Sequence, residues 1–227
     1  MIVEESLIRR AARHAALGEP VRLRICDALA LGDASPGEIA RQLDLSSNLL
    51  AHHLGVLESA GVVVRTRSEA DQRRTYVRLT QDARPFVNPR LARDVVRVVF
   101  VCTQNSARSQ LAAALWASRT GVPVASAGTH PARAVHPRAV AVARRHNLDL
   151  GKASTTHLRD VVRPDDFVIA VCDLAYEEIA HGGSVQAHWS IPDPARKGTH
   201  SAFSEALDSL DERVRVLANV VDQDRNR

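Results

Sequence analysis

Cys102 closes an apolar run that begins at Val98, and Arg108 follows six positions later at the start of an alanine- and leucine-rich segment. The pattern predicts a buried strand, a tight loop and a helix start. In that setting backbone N–H groups and the positive end of a helix converge on the thiol, and the Arg108 guanidinium can chelate an oxyanion. The same field favours thiolate over thiol, so Cys102 is expected to ionise near neutral pH and to act as a nucleophile. Thr103, Gln104, Asn105, Ser106, Ala107, Arg108 and Ser109 form the expected oxyanion cradle. The plainer alternative is a buried structural cysteine ahead of an ordinary surface arginine. Asn105 inside the loop and Ser109 after the arginine weigh against it.

The phrase CTQNSARSQ resembles the signature loop of the low-molecular-weight phosphotyrosine phosphatase fold, and in particular its arsenate-reductase branch. The phosphatase form of this loop usually has a second cysteine before the arginine and a proline after the serine. Here Ala107 and Gln110 hold those places, which favours arsenate over phosphotyrosine, and Gln104 stands where many members have glycine. The resemblance implies a second redox cysteine in VIAVCDLAYEE, which is Cys172, and a general acid in HWSIPDPA, which is Asp193. Ala195 and Arg196 replace the tyrosines of the true phosphatases, so no aromatic wall is expected for a phosphotyrosine ring.

The implied reaction begins with attack of the Cys102 thiolate on arsenic held by Arg108 and the loop amides, while Asp193 helps water leave. Cys172 then attacks the Cys102 sulfur, arsenite departs, and an external thiol reductant reduces the Cys102–Cys172 disulfide. Thioredoxin-coupled relatives commonly carry a third cysteine about seven residues after the second, where Ile179 stands here. Thioredoxin acting directly and a low-molecular-weight thiol with a glutaredoxin-like partner both stay open as reductants. No bound cofactor is expected. No metal site is expected either, because Cys26, Cys102 and Cys172 lack C-x2-C spacing.

The elements needed to position these residues alternate between strand and helix. Val122 to Ser126 and Asp166 to Val171 read as strands, and Pro137 to His146 reads as a helix. Ser201 to Val221 reads as an amphipathic helix with Leu207, Leu210, Val214 and Leu217 inward. This is α/β patterning for a parallel sheet with its site at the carboxyl ends of the strands, where Cys102 and Cys172 both fall.

The first third reads differently. Helical spacing runs from Glu4 to about Leu31, broken by Gly18, Glu19 and Pro20, and Ser35 with Glu38 predicts a capping box ahead of a short helix. Ser47 to Ala60 follows as a helix with Leu50, Leu54 and Leu57 inward and Gly61 at its end. Val62 to Arg67 and Thr75 to Thr80 then make a hairpin, giving a mostly α winged helix-turn-helix with a β-hairpin wing. LSSNLLAHHLGVLESAGVV closely resembles the recognition helix of ArsR-type repressors.

Ser47, Asn48, Ala51 and His52 are the candidate base-edge contacts. Arg73, Arg74 and Tyr76 on the wing are candidates for phosphate or the minor groove, a solvated loop being the other reading of the arginines. His53 is expected to pack. ArsR-type sensors often carry a Cys-x-Cys pair in the helix before the turn, but here that helix reads GEIARQL, so the thiolate site is expected to be absent and Cys26 to be core.

The expected organisation is residues 1–80 as the DNA-binding domain, 81–94 as a linker containing Pro85, Asn88 and Pro89, and 95–227 as the phosphatase-fold domain. A length of 227 residues accommodates two cores, and a net charge of +4 permits nucleic-acid binding without demanding it. With no leader and no apolar run of about 18 residues, the expectation is a cytoplasmic protein with no membrane contact. Its partners would be double-stranded operator DNA, an arsenate- or phosphate-type oxyanion and a thiol redox partner, and the resemblance implies a homodimer. Two alternatives stay open: a phosphatase, and a repressor that senses oxyanion or redox state with little turnover.

Overall fold

In the computed structural model, which describes residues 2–87, 89, 91, 94–180 and 185–225, Gly18 and Pro20 separate helix α1 (Ile2–Leu17) from α2 (Pro20–Ala28). Glu19 caps α2, its carboxylate accepting the N–H groups of Val21 and Arg22 at 3.0 and 2.9 Å. Helix α3 (Pro36–Leu43) opens with the expected capping box, since Ser35 accepts the Glu38 N–H and Glu38 accepts the Ser35 N–H. Asp44, in the left-handed region at φ 53°, turns the chain toward α4 (Ser47–Ser59), which Ser46 caps. Gly61 ends that helix at φ +66°, a conformation glycine adopts without strain.

An antiparallel hairpin, β1 (Val63–Arg67) with β2 (Thr75–Leu79), forms the wing. Leu50, Leu54 and Leu57 are buried with Ile25, Cys26, Ile39, Val62 and Val77 in the core of this unit. Gln81–Phe86, expected within the linker, is a 3-10 helix whose Ala83 lies in that same core and whose Asp82 pairs with Arg13 at 2.6 Å. Asn88 of the expected linker lies outside the described residues. The chain divides into two compact units, Met1–Arg90 and Leu91–Arg227.

The second unit is a parallel sheet of β3 (Val98–Cys102), β4 (Val124–Gly128), β5 (Phe167–Ala170) and β6 (Val185–His188), in the order β4-β3-β5-β6. All five residues of β3 are buried, as a central strand covered on both faces requires. Helices α5 (Arg108–Ala117), α6 (Pro137–Arg145), α7 (Leu158–Val161), α8 (Asp173–Ile179), α9 (Pro194–Lys197) and α10 (His200–Arg225) complete the unit. Leu207, Leu210, Val214 and Leu217 of α10 are buried, as their spacing predicts.

The second strand runs Val124–Gly128, later than the Val122 to Ser126 read from alternation. Its register sets Val98 against Val124 and Cys102 against Gly128, so the pairing starts only after Pro123, whose carbonyl accepts the Val98 N–H. Phe100 packs near both Trp116 and Trp189, with ring centroids 6.3 and 5.5 Å away. At the opposite edge from the two cysteines, Arg97 holds Asp166 with a bond of 2.7 Å from Nε, tying the start of β3 to the start of β5.

Candidate functional site

Cys102 ends β3 and Arg108 begins α5, so the loop between them is fixed at both ends by regular structure. Its carbonyl groups face the segment after β4. Thr129, His130, Ala132 and His136 donate their N–H groups to the carbonyls of Cys102, Thr103, Gln104 and Ser106 at 3.1, 2.8, 2.9 and 2.8 Å. With the carbonyls engaged outward, the loop's N–H groups are left for its concave side, and that of Asn105 points to Sγ of Cys102 at 3.2 Å. No side chain caps α5 at Ala107, which adds the helix's first N–H groups to the same concavity.

Asn105 is the centre of the loop. It takes the left-handed conformation at φ 49°, and its Nδ2 donates to Ser109 Oγ and Ser126 Oγ, both at 2.9 Å. Its Oδ1 accepts the Thr156 N–H at 2.9 Å and Gln110 Nε2 at 3.2 Å. Ser109 Oγ in turn lies 3.1 Å from Sγ of Cys102. Among the described residues the non-glycine positions with positive φ are Asp44, Asn105 and Asn147, so Gln104 occupies the usual glycine place in a conformation that does not need glycine.

Gln110, in the usual proline place, braces the loop through Nε2 to the carbonyls of Asn105 at 3.0 Å and Ser154 at 2.9 Å. Gly128 is required by contact. A Cβ there would stand 2.8 Å from the Thr103 carbonyl oxygen and 3.0 Å from Asn105.

The other two predicted site residues meet this loop. Asp193 Oδ1 lies 3.4 Å from Nη2 of Arg108, whose Nη1 donates to the Ile191 carbonyl at 2.9 Å. Asp193 also caps α9 through the Ala195 N–H. Cys172 follows β5 and stands at the N-cap of α8, buried, with Sγ 3.5 Å from Thr103 Oγ1. Burial pushes its thiol up from the ordinary cysteine range; the positive charge of Arg108 pulls the other way, and a negative charge on Cys102 would push it up further. Cys102 and Cys172 are both free thiols. Ala195 and Arg196 follow the acid in the chain after Pro194.

Sequence reasoning sets Cys102 and Cys172 on the carboxyl edge of the sheet, where the structure also brings Arg108 and Asp193. It misses the wall at residues 129–136, the Ile191 carbonyl on Arg108 and the bracing by Ser126, Ser154 and Thr156. Most of these act through backbone atoms, which leave no mark in residue type.

In the first unit Ser47, Asn48, Ala51 and His52 are exposed along one side of α4. Ala51 and His52 also line a groove of about 740 Å³ with Ala12, Ala15 and Ala16 of α1. His53 is buried as expected, its Nδ1 3.6 Å from Glu19. Arg73 and Arg74 are exposed at the hairpin tip but share Asp71: Arg73 binds it from Nε and Nη2 at 3.0 and 3.1 Å, and Nε of Arg74 lies 3.8 Å away.

Tyr76, expected as a wing contact, is buried at 1 % exposure. It sits within the strand ladder opposite Thr66, not at the tip, and is corrected to a packing residue. Cys26 is core, and burial pushes its thiol up to about 12. Among the described residues no cluster of histidine, cysteine or acidic side chains could hold a metal ion, and no helix is long and apolar enough to cross a membrane.

Residues 97–227 match the family described as low molecular weight phosphotyrosine protein phosphatase, and residues 17–66 match a helix-turn-helix domain. An arsenate reductase of Oceanobacillus iheyensis is 28 % identical over 131 residues, covering 53 % of this chain and 94 % of its own length. The biofilm growth-associated repressor of Agrobacterium fabrum is 42 % identical over 66 residues, 29 % of this chain and 54 % of the repressor, so the match spans about half of that relative. Among solved structures, a YwlE mutant from Bacillus subtilis superposes with a TM-score of 0.51 at 25 % identity, covering 56 % of this chain and 99 % of that one.

Proposed function

Since a match over more than half of its length shows that the chain belongs to the low molecular weight phosphotyrosine protein phosphatase family, we propose that its second unit reduces arsenate to arsenite and that its first unit binds operator DNA. One observation carries the reductase reading: a second buried thiol, Cys172, lies against the anion loop through Thr103. A phosphatase has no need of it. The relatives named arsenate reductases supply independent support.

In this reading the loop amides and Arg108 hold the oxyanion, and the Cys102 thiolate attacks arsenic. Asp193, beside Arg108, gives its proton to the departing oxygen, which leaves as water. Cys172 then attacks the Cys102 sulfur. The sulfur–sulfur bond forms, the sulfur–arsenic bond breaks with its electron pair remaining on arsenic, and arsenite leaves. The Thr103 hydroxyl and the Arg108 charge favour the Cys172 thiolate that this step needs, against the cost of burial.

An external thiol reductant restores the pair by exchange, either thioredoxin or a low-molecular-weight thiol with a glutaredoxin-like partner. The first unit would act as a homodimer with Ser47, Asn48, Ala51 and His52 in the major groove. Leu7 and Ile8 of α1, 55 % and 63 % exposed, would be part of its apolar contact. The free thiols suit a reducing, cytoplasmic setting.

The test is arsenite production from arsenate by the full chain with a dithiol reductant, with Cys172→Ser as the control. Turnover that requires Cys172 supports the reading. A second reading, phosphoester hydrolysis, is favoured by the placement of Asp193 on Arg108, which also suits a leaving alkoxide. Hydrolysis of an aryl phosphate that persists in Cys172→Ser, without arsenite formation by the native chain, would select it.

A further inference from the structure

One buried polar cluster has no part in the scheme above. Asp173 opens α8 directly after Cys172, and its carboxylate lies 2.9 Å from Nε2 of His188. Both side chains are inaccessible, at 3 % and 1 % exposure. Within the first turn of α8, Tyr176 lies flat on the same imidazole, with ring centroids 4.1 Å apart and planes 4° apart. The start of α8 thus grips His188 twice, once by a hydrogen bond and once by stacking. Cys172 is the N-cap residue of α8, so these contacts anchor the turn that bears the thiol.

His188 also lies on the path to the acid. It ends β6, paired with Ala170 of β5 just before Cys172. Beyond it the chain passes Trp189, whose N–H binds the Ala170 carbonyl at 2.7 Å, and reaches Ile191 and Asp193 on Arg108. One imidazole therefore joins the segment bearing the second thiol to the segment bearing the acid. A pair of this depth is a poor device for stability alone, because well-packed apolar residues of the same volume often serve as well.

We infer that His188, held between Asp173 and Tyr176, is a positioning residue for the second-thiol step. It fixes the first turn of α8 so that Cys172 meets the Cys102 sulfur in line with the sulfur–arsenic bond. The inference rests on the arsenate reading. In that step the new disulfide carries the two electrons lost by the thiols, arsenic passes from the pentavalent to the trivalent state, and arsenite takes its proton from solvent. Displacement at sulfur is sensitive to alignment, and a misplacement of about 1 Å costs about a hundredfold.

The experiment uses full-length, reduced His188→Gln, Tyr176→Ala and Tyr176→Phe proteins. Each is mixed with arsenate and quenched at intervals, and the Cys102–Cys172 disulfide is quantified by mass spectrometry. In parallel, the protection of Cys102 from iodoacetamide by arsenate is titrated. His188→Gln and Tyr176→Ala are expected to form the disulfide roughly ten- to a hundredfold more slowly while arsenate protects Cys102 at the native concentration. Tyr176→Phe, which keeps the ring, is expected to recover most of the rate. Native rates in both damaged variants would overturn the inference, and so would a parallel loss of protection and rate, which marks a merely structural pair. If the native chain itself forms no disulfide with arsenate, the reductase reading fails and the inference falls with it.

Discussion

Asn105 shows how much one side chain can carry. A sequence places it inside a C-x5-R loop, but only the fold reveals that its amide joins Ser109, Ser126, Gln110 and the Thr156 backbone. Each bond contributes about 1 kcal/mol net. Asn105→Ala should therefore lower stability by about 2–4 kcal/mol in urea unfolding and abolish arsenate protection of Cys102. Protection at native arsenate concentrations would show that the loop holds itself.

The second thiol makes a prediction in pH. Burial raises the Cys172 ionisation above the ordinary thiol range, so its thiolate is scarce at neutrality and grows as pH rises toward the folded value. In single turnover the rate of disulfide formation should climb from pH 7 through pH 9. A flat profile would mean that another step is limiting or that Cys172 already stands ionised. Cys102 and Arg108 were legible from residue type and spacing, whereas Asp193 and Cys172 were singled out by the family resemblance of their phrases. Tyr76 was not read correctly, because its place within a strand, not its chemistry, decides its burial.

At the scale of elements, the long periodic pieces announce themselves. Ser35 with Glu38, Gly61 and the leucines of α4 mark helix ends and faces by side-chain chemistry that is local in sequence. β6 and α8 went unread, since VQAH and DLAYEEI are too short for a period to show. The strand ending in Gly128 was read two residues early, because its limit is set by pairing with β3 and not by its own alternation.

That same strand end offers a sharp test, since the loop passes over Gly128 with no room for a methyl group. Gly128→Ala must shift backbone, because the nearest atom is the Thr103 carbonyl oxygen, with the Asn105 backbone nitrogen and Cβ next. We expect a loss of arsenate protection of at least tenfold, with destabilisation of about 1–3 kcal/mol. Native binding in this variant would contradict the close packing of loop on strand.

At the scale of the whole molecule, two units of different class share one chain, a winged helix-turn-helix and a parallel α/β sheet. The change from helical spacing to alternating strands and helices made that organisation readable. The 3-10 helix at Gln81–Phe86 was not, since only the burial of Ala83 assigns it to the first core. In the wing, the single carboxylate of Asp71 faces both tip arginines, and the Arg73 guanidinium holds it below the usual carboxylate range. Asp71→Asn should therefore strengthen DNA binding and steepen its dependence on salt, whereas Arg73→Ala should change little. Weaker binding in Asp71→Asn would show that the carboxylate shapes the tip for contact.

The most direct test of the account is the thiol count of the reduced chain after arsenate, with mass spectrometry to locate any disulfide. Of the three cysteines, Cys26 should stay free, its thiol buried and pushed up to about 12. Cys102 and Cys172 should be recovered as one disulfide, with one arsenite released per chain. Three free thiols after exposure to arsenate, with hydrolysis of a phosphate ester in place of arsenite release, would contradict the account and leave a phosphatase.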